Sequence, residues 1–222
     1  MARPLLLLLL LLTGCQLAQQ IQQDPRTHDE RLYALLQELD AVRSGVGREL
    51  GGRERAIRSQ LDRLYYEDPR HVDTAWVMGV LEYEDQNQER ATWYLDNVLQ
   101  LEPSHARAAE LRGRIALNEG NVDYAMKVIS RAIALSPDDP GLHEVKALAH
   151  YLEQRWNEAA VSLREAERLG SPAWRAAFNR GLIAEARGNA TEAMALYRTA
   201  IDERGGRFPR AEQRLIGVGG LR

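Results

Sequence analysis

Apolar residues keep helical spacing from the first long polar stretch onward. From His28 the series Leu32, Leu35, Leu36, Leu39 and Val42 makes one face apolar, which predicts a helix ending near Ser44 and Gly45. The glycine-rich run Gly45 to Gly52 lacks the spacing of either phosphate-binding fingerprint and follows a helix where a strand is required, so it reads as a connector. A second helix is expected over Arg53 to Tyr66, with Ile57, Leu61 and Leu64 on one face and Pro69 stopping it. Beyond Val72 the pattern becomes a strict recurrence. Compact residues return every 34 positions in three columns: Gly79, Gly113, Ala147 and Gly181; Ala91, Ala125, Ala159 and Ala193; Val98, Ala132, Ala166 and Ala200. The spacing predicts helix pairs at 72–85 with 88–101, 106–119 with 122–135, 140–153 with 156–169, and 174–187 with 190–203. A short last helix is expected from Arg210 to Ile216, after which Gly217, Gly219 and Gly220 loosen the end.

The first two columns suit places where two antiparallel helices cross closely, since a larger side chain there would push the backbones apart. The third suits a contact with the following pair. Pro103 and Pro137 form a further column, broken at Ser171 and Gly205, that must end the second helix of a pair. Asn87, Asn121 and Asn189 share the position before each second helix, where a side-chain oxygen can cap free N–H groups; Arg155 breaks that series. A 34-residue period with small residues at internal positions 8, 20 and 27 and proline at 32 resembles the tetratricopeptide repeat over Val72 to Arg207. The resemblance implies an all-α chain, a right-handed α-solenoid of antiparallel helix pairs. Its four units occupy 72–207, between an N-terminal helical cap with a degenerate repeat at 28–71 and a C-terminal cap with a loose tail at 208–222.

Composition narrows the function without choosing it. Hydrophobic residues at 45% and charged residues at 27% suit a folded core of stacked repeats. The net charge of −3, with no basic block or basic stripe carrying interleaved aromatics, argues against nucleic acid as a partner. Positive charge is almost all arginine, Lys127 and Lys146 being the lysines. The single cysteine excludes an intrachain disulfide and any multi-cysteine metal site.

That cysteine follows an export-like segment. Arg3, the unbroken run Leu5 to Leu12 and small residues before Cys15 read as a signal at 1–14, and the leucine run is too short for the roughly 20 apolar residues of a membrane span. Leu12-Thr13-Gly14-Cys15 resembles the lipobox of bacterial lipoproteins, which implies lipidation of Cys15 and a polar tether over 15–27. A plain secretory signal with an unmodified cysteine is the alternative. Acyl chains on Cys15 would hold the protein on a membrane without crossing it. In the family the residue after the cysteine influences sorting, and Gln16 in place of aspartate implies the periplasmic face of the outer membrane.

No catalytic motif is present, neither a Walker loop nor HExxH nor GxSxG. His143 and His150 are roughly 10 Å apart along one helix, too far to share an ion comfortably. What remains is the surface made by the first helix of each pair, which in tetratricopeptide arrays lines the inner groove. Carried over position by position, the resemblance places Trp76, Val80 and Tyr83 there from the first unit, and Arg107 and Arg114 from the second. The third supplies Leu148 and Tyr151, the fourth Arg175, Phe178 and Asn179. The lysine and asparagine with which some members grip a C-terminal carboxylate are missing. Aromatic anchors with Arg107, Arg114 and Arg175 available for acidic groups instead suit an extended or helical peptide. The expected function is a membrane-anchored envelope adaptor for protein or peptide partners, without cofactor or metal. A structural or self-associating scaffold is the alternative, and a homo-oligomer is compatible with both.

Overall fold

The computed structural model describes residues 24, 26–45 and 50–219, which contain eleven α-helices and no strand. Residues 1–23, with the expected signal segment and Cys15, lie outside them. The boundary between two compact units falls between Asp68 and Pro69.

The first unit is a helix pair, α1 (His28–Ser44) and α2 (Leu50–Glu67). Thr27 opens α1 with a capping box: its hydroxyl accepts from Glu30 N at 3.2 Å, and its own N–H donates to the Glu30 carboxylate at 2.7 Å. The apolar stripes Leu32, Leu39, Val42 and Ile57, Leu61, Leu64 are buried. Arg31 and Arg43 pair with Glu67 and Glu54 at 2.5 and 3.0 Å. α2 begins at Leu50 rather than Arg53, so Gly51 and Gly52 are helical. Glycine in a helix costs about 1 kcal/mol, which the packed apolar face of α2 offsets.

The second unit holds four helix pairs and a terminal helix: α3 (Val72–Glu84) with α4 (Gln88–Leu101), α5 (Ala106–Asn118) with α6 (Val122–Leu135), α7 (Pro140–Leu152) with α8 (Trp156–Arg168), α9 (Ala173–Ala186) with α10 (Ala190–Glu203), then α11 (Pro209–Gly219). Within each pair the helices cross where the first column stands. A Cβ on Gly79 would lie 3.1 Å from Leu95, one on Gly113 2.9 Å from Ile129 and 3.1 Å from Val145, and one on Gly181 2.5 Å from the Tyr197 ring. Ala147 fills the equivalent place, buried in a cluster with Leu163. Ala91, Ala125, Ala159, Ala193, Ala132, Ala166 and Ala200 are all essentially without solvent contact. Ile129, Leu142 and Val145 share one core with Ala125 and Ala132, so packing runs on from the α5–α6 pair into α7.

The same turn closes each of the four pairs of the second unit. Asn87, Asn121, Arg155 and Asn189 donate their backbone N–H to the carbonyls of Glu82, Ala116, His150 and Ala184 at 2.8–2.9 Å. The residue before each takes a left-handed backbone, with φ of 62° at Gln86, 76° at Gly120, 61° at Gln154 and 79° at Gly188. Glycine adopts that conformation without the strain a side chain brings. Replacing the exposed Gln154 by Gly is therefore expected to stabilise the protein by about 0.5–1 kcal/mol, the relief of strain exceeding the added freedom of the unfolded chain. A urea midpoint that stays put or falls would contradict this.

Two local expectations need correction. Only Asn121 caps its helix, accepting from Tyr124 N at 3.2 Å; the Asn87 amide donates instead to Glu82 at 2.9 Å, and the Asn189 amide to Glu192 at 3.2 Å. The turn already holds these helix starts, leaving the amides to pair with neighbouring carboxylates. The first helices carry more of the side-chain capping: His71, His105 and Asp139 accept from Thr74, Ala108 and Leu142 N–H groups. The C-terminal end is also more ordered than its glycines imply. α11 runs to Gly219 because Ala211 and Val218 are buried with Tyr197, Phe208 and Ala200. Where proline is absent, glycines at φ 96° (Gly170) and 90° (Gly205) follow α8 and α10.

Candidate functional site: an arginine and aromatic cavity on the first-helix face

The first helices form one layer in which α5 and α7 lie side by side and ion pairs extend from them to α9. At the centre is Glu144 of α7, whose side chain is 2% exposed. It accepts from Arg114 of α5 at 3.1 Å, from Arg175 of α9 at 3.0 Å, and from the Ser171 hydroxyl. Arg114 also reaches Glu110 one turn earlier at 2.9 Å. The Glu110 carboxylate occupies the space a Cβ on Gly141 would need, so glycine there admits the cluster.

Above this floor opens a cavity of about 570 Å³, lined by Glu110 and Arg114, by Trp174, Arg175, Phe178 and Asn179 of α9, and by Arg204, Phe208, Pro209 and Arg210. One wall is aromatic. Trp174 meets Phe208 edge to face at 5.3 Å between centroids, and Phe208 meets Phe178 at 4.9 Å. The Arg204 guanidinium stacks 4.6 Å from the centroids of both Trp174 and Phe208. Asn179 also borders a much narrower cleft, about 10 Å³, with Leu148, Tyr151 and Leu182.

Of the ten residues expected to line a groove, Arg114, Arg175, Phe178 and Asn179 meet at this cavity. Trp76, Val80, Tyr83 and Arg107 do not. Trp76, Val80 and Tyr83 are half-buried on α3, Trp76 packing against His105 at 5.2 Å, while Arg107 is exposed on α5. Tyr151 is half-buried against Trp156 at 5.4 Å. Arg114 and Arg175 are not freely available for acidic groups, because Glu144 and Glu110 already hold them; a carboxylate buried between two arginines needs both. Phe178 is in part a packing residue, since its ring also lies 5.8 Å from that of Tyr197.

Sequence reasoning missed Trp174, Arg204, Phe208 and Arg210. Trp174 carried a signal, because its column otherwise holds Val72, Ala106 and Pro140. Arg204 ends the last helix pair at a position that holds Glu102, Ser136 and Gly170 in the other units, and Phe208 and Arg210 follow the last repeat, where no column constrains them. A second opening, about 410 Å³, lies on the second-helix side between α4 and α6; there Asp96 accepts from Arg112 at 2.9 Å and Arg112 stacks over Tyr124 at 4.4 Å.

The chemistry of the first cavity is that of binding. Positive charge, planar N–H donors and aromatic faces converge without a nucleophile paired to a base. His143 donates Nε2–H to the Pro137 carbonyl at 2.9 Å, and buried His150 has its pKa lowered by desolvation and by nearby Arg155 and Lys146. Among the described residues no group of three or more His, Cys, Asp or Glu is placed to hold a metal ion.

Known proteins show the same architecture. A thermophilic tetratricopeptide repeat protein of Thermus thermophilus superposes with a TM-score of 0.66 at 16% identity, covering 86% of this chain and 98% of that one. PilW, described as a widely conserved type IV pilus biogenesis factor, gives 0.65 at 11% identity with 84% and 86% coverage. A tetratricopeptide repeat protein from Parabacteroides merdae gives 0.61 at 18% identity with 98% and 86% coverage. No curated protein sequence matches the chain. The tetratricopeptide repeat family model matches residues 77–140 and 145–211, more than half of the chain. Family match, column spacing and helix-pair geometry agree, and the chain belongs to the tetratricopeptide repeat family.

Proposed function

We propose that the protein is a lipid-anchored adaptor of a bacterial cell envelope that binds protein partners on its first-helix face and catalyses no reaction. The tetratricopeptide fold is one of protein interaction. The observation that carries the reading is the cavity between α5, α9 and α11, large enough for partner side chains and lined by aromatics and arginines, the residue types that dominate interface energetics. The anchor rests on the lipobox-like Leu12 to Cys15, and Gln16 favours the periplasmic face of the outer membrane. No helix among the described residues is long and apolar enough to cross a membrane.

Replacing Cys15 by Ser is expected to move the protein from the membrane pellet to the soluble fraction of lysed cells. Unchanged pelleting would refute the anchor. Crosslinking and pull-down from membranes carrying the native anchor tests the adaptor reading, which fails if no envelope protein is enriched over an anchor-only control. A self-associating scaffold is favoured by the apolar side chains Leu135, Val161 and Ile216, which are 50%, 54% and 76% exposed. A mass that rises with protein concentration in analytical ultracentrifugation would select it.

A further inference from the structure

We infer that the cavity bounded by Trp174, Arg204 and Phe208 binds an acidic segment of a partner polypeptide, a carboxylate flanked by an apolar side chain. This rests on the adaptor reading and adds the ligand's chemistry to it. The four lining arginines are Arg114, Arg175, Arg204 and Arg210; the Glu212 carboxylate nearby is turned to the Phe208 N–H, from which it accepts at 2.8 Å, and the carboxylates that pair with lining arginines are Glu110 and Glu144. These carboxylates engage Arg114 and Arg175. Among the described residues Arg204 and Arg210 have no carboxylate partner, so positive charge is left over where the cavity opens.

Arg204 is already oriented for the task. Its planar guanidinium lies over the Trp174 and Phe208 rings, which limits its rotamers and leaves its N–H edge for a planar carboxylate. Part of the ordering cost of binding is met before the ligand arrives. Trp174, Phe178, Phe208 and Pro209 supply an apolar wall beside that charge, which fits an apolar side chain next to the acidic one. A nucleic acid suits the cavity less well. Its repeating phosphates would track a basic path, whereas this patch is local, backed by Glu110 and Glu144, on a chain of net charge −3.

The test uses the full chain in detergent as bait for a displayed library of random twelve-residue peptides, against chain-free support. The best binder is then synthesised with a free and with an amidated C-terminus and titrated by fluorescence anisotropy. Expected are enrichment of Asp or Glu next to an apolar residue, an affinity at least tenfold weaker for Arg204→Gln/Arg210→Gln, and no change for Arg107→Gln. Weakening by amidation would assign the bound carboxylate to the chain end; indifference to it would assign an acidic side chain, and either supports the proposal. Selected peptides without acidic enrichment, or acidic ones insensitive to the double substitution in a variant that melts like the parent, would overturn it while leaving the adaptor reading intact. No enrichment over the empty support would overturn both.

Discussion

Replacing Tyr197 by Ala is expected to lower the free energy of unfolding by about 3–5 kcal/mol, the range for removing a buried aromatic ring. The side chain is fully buried at the α9–α10 crossing, over Gly181 and beside Phe178, and belongs to the core that also seats Phe208 and α11. Its hydroxyl donates to Glu185 at 2.5 Å, and burial together with that carboxylate raises the phenol pKa, so the group stays a donor. Tyr197→Phe separates the two contributions. It keeps the ring and loses one hydrogen bond, a cost of about 1 kcal/mol, while Glu185 retains Arg214 at 3.1 Å. Urea unfolding followed by circular dichroism measures both. Equal losses in the two variants would mean that the hydroxyl, and not the packed ring, holds the end of the array. Gly181→Ala should be costly in the parent and nearly neutral beside Tyr197→Ala, because the side chain it meets is gone.

The second large effect is expected at Glu144. Glu144→Ala leaves Arg114, Arg175 and Ser171 without the group that joins them, and should cost about 2–3 kcal/mol. The cost stays below that of a fully buried pair because the two arginine side chains, 32% and 35% exposed, can turn towards water. Exchanging the cluster together, Arg114→Met, Glu144→Leu and Arg175→Met, should be near neutral, since apolar side chains of similar size avoid the desolvation penalty. Chemical denaturation of both variants decides. A single substitution within about 0.5 kcal/mol of the parent, the scatter of ordinary surface changes, would show that the cluster adds nothing to stability.

These two sites also mark what the sequence discloses. The helix pairs were legible to within a residue or two because their causes are local and periodic: Gly113 and Ala125 recur at 34-residue steps since the crossing they allow recurs. The α2 start was misplaced because packing overrides the helix preference of Gly51 and Gly52. The capping role given to Asn87 and Asn189 failed because the backbone turn had already fixed those helix starts. At the site, Arg114 and Arg175 were legible as facing residues, yet their partnership with Glu144 was not. That contact joins three helices across 30 and 31 residues, and single positions in a repeat say nothing of which charge meets which. Arg204 and Phe208 were invisible for a simpler reason: Arg204 stands in a column of unlike residues, Glu102, Ser136 and Gly170, and Phe208 falls where the period stops.

The turn common to the four pairs has a consequence for how the chain comes to be folded. Each closure joins a carbonyl to an N–H five residues later, as from Glu82 to Asn87, and the packed helices that follow belong to the same or the next 34-residue unit. Sequence separations between partners are therefore short, the topology associated with fast folding, and structure can spread from any completed pair to its neighbour. A chain emerging N-terminus first can assemble α3 with α4 and then α5 with α6 while the last repeats are still being synthesised. The cavity, by contrast, is completed only when Phe208 and α11 dock, so its walls come from the first helices of earlier pairs and from a segment made after all four of them.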